Sequence, residues 1–115
     1  MTQDHSKSTA GAVPLPRTAD EMAADHPDLW AAFQNLGEQA SLAGPLDARA
    51  RRLVHLALAI ASESQGATHS HARRALSEGL AAEALEHVAL LAITTLGWSR
   101  AMKGLNWIRD ITRAS

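Results

Sequence analysis

The chain has 115 residues, a formal net charge of −1 and no cysteine, so disulfides, thiolate metal ligands and thiol nucleophiles are all excluded. Near-neutral charge, with no basic cluster beyond Arg49, Arg51 and Arg52, argues against nucleic-acid binding. Apolar residues make up 46% of the chain and aromatics only 3%, a balance typical of close-packed Ala- and Leu-rich helices. This length predicts one domain with a single core.

Residues 1–18 are polar and include Pro14 and Pro16. This composition predicts a flexible N-terminal tail, followed by a single helical domain over residues 19–115. No apolar run in the tail is long enough for a signal peptide, and none in the chain approaches the length of a membrane span. We therefore expect a cytoplasmic protein that does not bind membranes.

Five helical segments and no strand are predicted. The first begins at Ala19 or Pro27 and ends at Ala40, with an apolar stripe formed by Leu29, Phe33 and Leu36. Gly44-Pro45 breaks the pattern, and Asp47 is placed to cap a second helix that ends near Gly66. The sequence thus predicts an all-α fold whose second helix begins at a defined cap.

The remaining three helices are separated by glycines. Thr68 is the expected cap of the third helix, which stops at Gly79. The fourth, residues 80–96, is apolar almost all round, which predicts a position in the middle of a bundle. Gly97 ends it, and Ser99 is the expected cap of the last helix.

The segment from His71 to Gly79, His-Ala-Arg-Arg-Ala-Leu-Ser-Glu-Gly, resembles the signature helix of the carboxymuconolactone decarboxylase-like superfamily, which includes the AhpD-like alkylhydroperoxidases. Residues 46–59 are similar to the helix that precedes it in the family. The resemblance implies a helical bundle of about five helices around a central helical hairpin. It also implies a homo-oligomer, a trimer or hexamer.

In the AhpD-like branch a glutamate, a Cys-x-x-Cys pair and a histidine form the active site. Aligned without a gap on His71, the two cysteine positions hold Ser64 and Ala67, and the glutamate position holds Arg52. A serine hydroxyl cannot replace a thiol because it is far less acidic and forms no disulfide. Thiol-dependent peroxidase activity is therefore not expected.

The lactone decarboxylase branch fits better, since His71-Ala-Arg73-Arg-Ala-Leu76 reproduces its His-x-Arg-x-Ala-Leu pattern. Loss of CO₂ from a carboxylated lactone leaves a dienolate, which needs a proton donor and a cation. A histidine of near-neutral pKa can donate the proton, and arginines can hold the carboxylate without a cofactor or metal. We expect His71 to be the catalytic acid, with Arg52, Arg73 and Arg74 binding a small carboxylate or lactone.

Other polar residues leave alternatives open. Glu63 and His69 are further candidates for lining the substrate pocket. A non-catalytic binding or scaffold protein on the same fold is a second hypothesis, supported by the altered residues at the thiol and glutamate positions. A third is a His/carboxylate metal site, for which the candidate ligands are Glu63, His69, His71, Glu83 and His87.

Overall fold

A computed structural model describes residues 17–114, so the predicted tail lies almost entirely outside the described residues. Within this range the chain is all-α, as predicted, but it forms six helices rather than about five. The helices are α1 (Arg17–Asp25), α2 (Pro27–Leu42), α3 (Ala48–Ala61), α4 (Gln65–Ser77), α5 (Ala82–Leu96) and α6 (Trp98–Thr112). The chain divides into two compact units after Pro45.

The first unit consists of α1 and α2. The additional helix arises because the predicted first segment is interrupted at His26, which belongs to neither α1 nor α2. Pro27 occupies the first turn of α2, where its missing N–H costs no hydrogen bond. No residue of α2 is buried.

The second unit, α3 to α6, contains the hydrophobic core. Helices α3 and α4 form a hairpin, and α6 packs against both α4 and α5. The fully buried large side chains Leu56, Ile60, Leu85 and Ile108 come from α3, α5 and α6. Gly104 of α6 lies so close to α3 that an added Cβ would stand 2.6 Å from Ile60 Cγ2. Helices α3 and α6 therefore pack in close contact at this point.

The cap of α3 confirms one prediction and the α3–α4 connection corrects another. Asp47 Oδ1 accepts a hydrogen bond from the Ala50 N–H at 2.8 Å, as expected of an N-cap. Gly66, however, lies inside α4, and the left-handed residue after α3 is Glu63, with φ of 56°. The cap of α4 is Ser64 rather than Thr68.

The later helix boundaries follow the glycines. Gly79, with φ of 91°, ends α4, and the following Leu80 N–H donates to the Ala75 carbonyl at 3.0 Å. Gly97, with φ of 92°, separates α5 from α6. Gly97 itself, and not Ser99, is the N-cap of α6.

Helix α5 is not the central helix that its composition predicted. Leu85 and Ala89 are buried, but Leu90 and Leu91 are 49% and 63% exposed. Its apolar residues face two directions because only one side of α5 is covered by α3 and α6. An apolar surface therefore remains open along this helix.

Candidate functional site

Five polar side chains converge where α3 packs against α4. Arg52 and His55 are one turn apart on α3, while His71 and Arg74 are one turn apart on α4. Glu78 is the residue that follows α4 and continues the same face, seven positions after His71. The α3–α4 hairpin therefore brings together three arginine and histidine positions predicted for the site and two residues that were not predicted.

Arg52 is the centre of this cluster. Its Nε and Nη2 donate to the two carboxylate oxygens of Glu78 at 2.9 and 2.8 Å, which is a bidentate ion pair. Its Nη1 lies 2.8 Å from His71 Nδ1. A guanidinium can only donate hydrogen bonds, so Nδ1 must accept and the proton of a neutral His71 ring must be on Nε2.

The surroundings of His71 favour the uncharged imidazole. Partial burial is the main cause that lowers the pKa of His71 from 6.5 to about 4, and the nearby positive charge of Arg52 is the second. His55 and Arg74 lower the pKa further, while Glu78 opposes them. At neutral pH His71 is therefore mostly uncharged, in contrast to the near-neutral pKa expected of a catalytic acid at this position.

The rings of His55 and His71 stack, with centroids 5.3 Å apart and planes 7° from parallel.

Hydrogen bonding to Arg52 is the main cause that lowers the pKa of Glu78, which stays ionised at neutral pH. A carboxylate, a guanidinium and a neutral imidazole thus form a chain in which each group orients the next.

The other predicted arginines differ in their surroundings. Arg74 is half-buried and close enough to His71 and Glu78 to influence both electrostatically, yet it forms no ion pair within residues 17–114. Arg73 is exposed. Arg74 is therefore the cation of the cluster whose guanidinium is available to an anion.

Glu63 and His69 instead make their contacts with α6. Glu63 pairs with Lys103 at 3.1 Å and Arg100 at 3.5 Å, and the hydrogen bond from Lys103 is the main cause that lowers its pKa. His69 Nε2 lies 2.9 Å from Asp110 Oδ2. These contacts connect α6 to the α3–α4 hairpin.

The two positions that hold cysteines in the redox branch have local structural roles. The Ser64 hydroxyl accepts a hydrogen bond from the Ala67 N–H at 3.1 Å and caps α4. No group of three His, Asp or Glu side chains is placed to hold a metal ion among the residues that the structure describes. Glu83 and His87, the other proposed ligands, are exposed on α5.

His55 and Glu78 are the cluster residues that sequence reasoning missed. Glu78 could have been found from its position on the face of α4 that carries His71 and Arg74. His55 lies one turn after Arg52, but nothing in the sequence indicates that the two histidine rings meet.

The sequence matches the model of the carboxymuconolactone decarboxylase family over residues 27–110, and the chain belongs to this family. The match includes α2 to α6 nearly completely and every residue of the cluster. No curated protein matches the sequence. In the described part of the chain, no helix is long and apolar enough to cross a membrane.

Proposed function

We propose that this protein is a cofactor-independent lyase that removes CO₂ from a small carboxylated lactone, with His71 as a neutral hydrogen-bond donor. The observation that carries the proposal is the 2.8 Å contact between Arg52 Nη1 and His71 Nδ1. This contact leaves the Nε2–H free to donate to a substrate. The family membership supports the class of substrate and reaction.

The reaction places specific demands on the site. When the carbon–carboxylate bond breaks, its electron pair moves into the unsaturated lactone ring and negative charge collects on the carbonyl oxygen. A hydrogen-bond donor held at that oxygen stabilises the transition state. One proton is then taken up at carbon, and CO₂ leaves. His71 supplies the hydrogen bond through Nε2–H, and solvent supplies the proton.

A neutral imidazole suits this role because hydrogen bonding, and not a charge on the ring, holds it in place. Arg52 and Glu78 hold the ring in a single tautomer, in which Nδ1 is unprotonated and accepts the hydrogen bond from Arg52. Arg52 is therefore assigned to orienting His71 rather than to binding substrate.

Arg74 is the proposed ligand for the substrate carboxylate, and the exposed Arg73 is a second, outer ligand. A guanidinium binds a carboxylate in bidentate geometry, and Arg74 has no competing ion pair among residues 17–114. Glu63 and His69 receive no substrate role because their side chains are engaged with α6.

The test is an assay for decarboxylation of a γ-carboxylated butenolide, in which the release of CO₂ is measured. His71→Asn is expected to lower kcat/KM by about 100-fold or more, as for loss of an oxyanion donor. Arg74→Gln is expected mainly to raise KM. His69→Asn is the matched control, two residues away on the same helix, and should retain full activity. Equal rates in His71→Asn and wild type would contradict the proposal.

The second candidate is a non-catalytic binding protein on the same fold. The capping role of Ser64 favours this alternative, because a position that holds a cysteine in the AhpD-like branch here stabilises the start of α4. Under this alternative, carboxylated lactones would bind without turnover, and Arg74→Gln would abolish binding. For either function we propose a cytoplasmic homo-oligomer, a trimer or hexamer.

A further inference from the structure

An apolar groove runs between α3 and α5, on the side of α3 opposite to Arg52 and His55. Its volume is about 540 Å³, and ten of its thirteen lining residues are apolar. Val54, Leu58 and Leu91 form its walls and are 45%, 58% and 63% exposed. Its polar lining residues are Arg49, His87 and Thr95.

The shape of the groove fits a helix better than a small molecule. Small-molecule pockets enclose most of the surface of their ligand, whereas the walls of this groove project into solvent. An apolar trough between two helices is a common receptor for the apolar face of a third helix. Adjacent exposed large apolar side chains of this kind mark interaction sites.

Helix α2 carries a surface of matching character. Leu29, Phe33 and Leu36 lie at i, i+4 and i+7, so they form one stripe, and each is more than half exposed. The stripe is about 10 Å long, given a rise of about 1.5 Å per residue. The lining residues of the groove on α3 run from Arg49 to Ala61, which is about 18 Å at the same rise. The stripe and the groove therefore agree in chemistry, and the groove is long enough to receive the whole stripe.

Charge also favours this pairing. Residues 17–45 contain five acidic side chains and one basic side chain, whereas residues 46–115 contain six acidic and nine basic ones. Asp28 lies in the first turn of α2, and Arg49 lines the groove. Opposite net charges on the two segments accelerate the association of one with the other and disfavour pairing of like segments.

We propose that the groove between α3 and α5 receives α2 of a second copy of this chain. The two surfaces differ, so the contact closes either as a reciprocal twofold pair or as a heterologous ring such as a trimer. The inference rests on the self-association proposed above, but it does not depend on the chemistry of His71.

Leu90 and Leu91 provide a matched pair of variants. Both are exposed leucines on α5, but only Leu91 lines the groove. Leu91→Asp is expected to weaken self-association by about 30-fold or more, as for a central interface residue, whereas Leu90→Asp should leave it nearly unchanged. Analytical ultracentrifugation measures both, and circular dichroism checks that both variants are folded. Equal effects of the two substitutions would overturn the inference.

A mixing experiment identifies α2 as the occupant. Phe33→Asp destroys the stripe but leaves the groove intact, and Leu91→Asp does the reverse. Each variant alone should be monomeric, whereas an equimolar mixture should form a species of two chains through the one intact stripe and the one intact groove. Asn35→Asp, which adds the same charge to α2 outside the stripe, is the control and should retain the wild-type assembly.

The outcomes separate the two proposals. If wild type is oligomeric but Leu91→Asp does not weaken the assembly, this inference is wrong while self-association stands. If Phe33→Asp stays assembled while Leu91→Asp dissociates, the groove does not receive α2 and the inference is wrong. If both variants dissociate but their mixture stays monomeric, the stripe and the groove do not bind each other and the inference is again wrong. If wild type is a monomer at all concentrations, both the self-association and its proposed mode fail, and the lyase assay remains a separate test.

Discussion

The two sides of α3 differ in how completely their side chains are engaged. On one side, all three donor-bearing nitrogens of Arg52 are used by Glu78 and His71. On the other side, Val54 and Leu58 line an open groove and are about half exposed. A polar cluster that is satisfied internally can orient a reacting group, whereas an apolar surface left open is better suited to binding another chain. One helix therefore serves both proposed functions.

The largest expected effect comes from a change that disturbs both sides of α3 together. Gly104→Ala places a Cβ against Ile60, so the Ile60 side chain or the two helices must shift. We expect a loss of roughly 1 to 3 kcal/mol in the free energy of unfolding, as for other overpacked cores. Urea denaturation measures it.

The control for this substitution is Gly66→Ala, also a glycine inside a helix but with no atom within 4 Å of an added Cβ. Alanine there should stabilise the protein by up to about 1 kcal/mol, because it restricts the unfolded chain and favours the helix. If Gly104→Ala were as stable as Gly66→Ala, the close approach of α3 and α6 would be wrong.

Arg52→Gln separates the two sides by acting on the polar one alone. Loss of the guanidinium removes the second largest cause of the lowered His71 pKa, so this pKa should rise from about 4 towards 6.5. The acidic limb of the kcat/KM profile should move upward with it, since the neutral imidazole is the active form. Sedimentation should show unchanged self-association, and a change would mean that the two sides are coupled.

Stability should depend on pH through the same residue. Because the pKa of His71 is lower in the folded than in the unfolded chain, the unfolded chain binds more protons between pH 6.5 and about 4. Stability should therefore decrease as the pH falls through this range. The lowered pKa of Glu78 adds a further loss in acid. His71→Asn should show a smaller loss between pH 6.5 and 5 in thermal unfolding than wild type.

Asp47→Ala should have the smallest effect, because it removes only the cap of α3. The hydrogen bond to the Ala50 N–H is lost, and the free energy of unfolding should fall by about 1 kcal/mol. Asp47→Asn keeps an acceptor oxygen and should retain most of the stability. Chemical denaturation of wild type, Asp47→Ala and Asp47→Asn measures these differences. It shows how much the start of α3 contributes to the stability of the helix that carries both sides.

The parts of the structure that sequence could predict are those determined by local backbone preferences. Asp47 as a cap and Gly79 and Gly97 as helix ends depend on single residues and their neighbours, and they are confirmed. The left-handed turn before α4 was misplaced because Glu63 adopts a conformation that usually favours glycine, and Gly66 was the obvious candidate.

The features that sequence did not predict correctly depend on contacts between helices. Composition alone predicted a central α5, but the number of helices that cover it cannot be read from its own residues. Likewise, His71 was identified from the family motif, yet its lowered pKa depends first on its partial burial and then on the guanidinium that α3 places beside it. Glu78 was missed for the same reason, since its partner lies 26 positions away.

The most direct test is an NMR titration of the His71 ring, assigned by comparison with His71→Asn, with ¹⁵N shifts to identify the protonated nitrogen. Partial burial and the contact with Arg52 predict a pKa near 4 and, at neutral pH, a neutral ring protonated on Nε2. A pKa near 6.5, or a ring protonated on Nδ1, would contradict the arrangement of Glu78, Arg52 and His71 and, with it, the proposed role of His71 as a neutral hydrogen-bond donor.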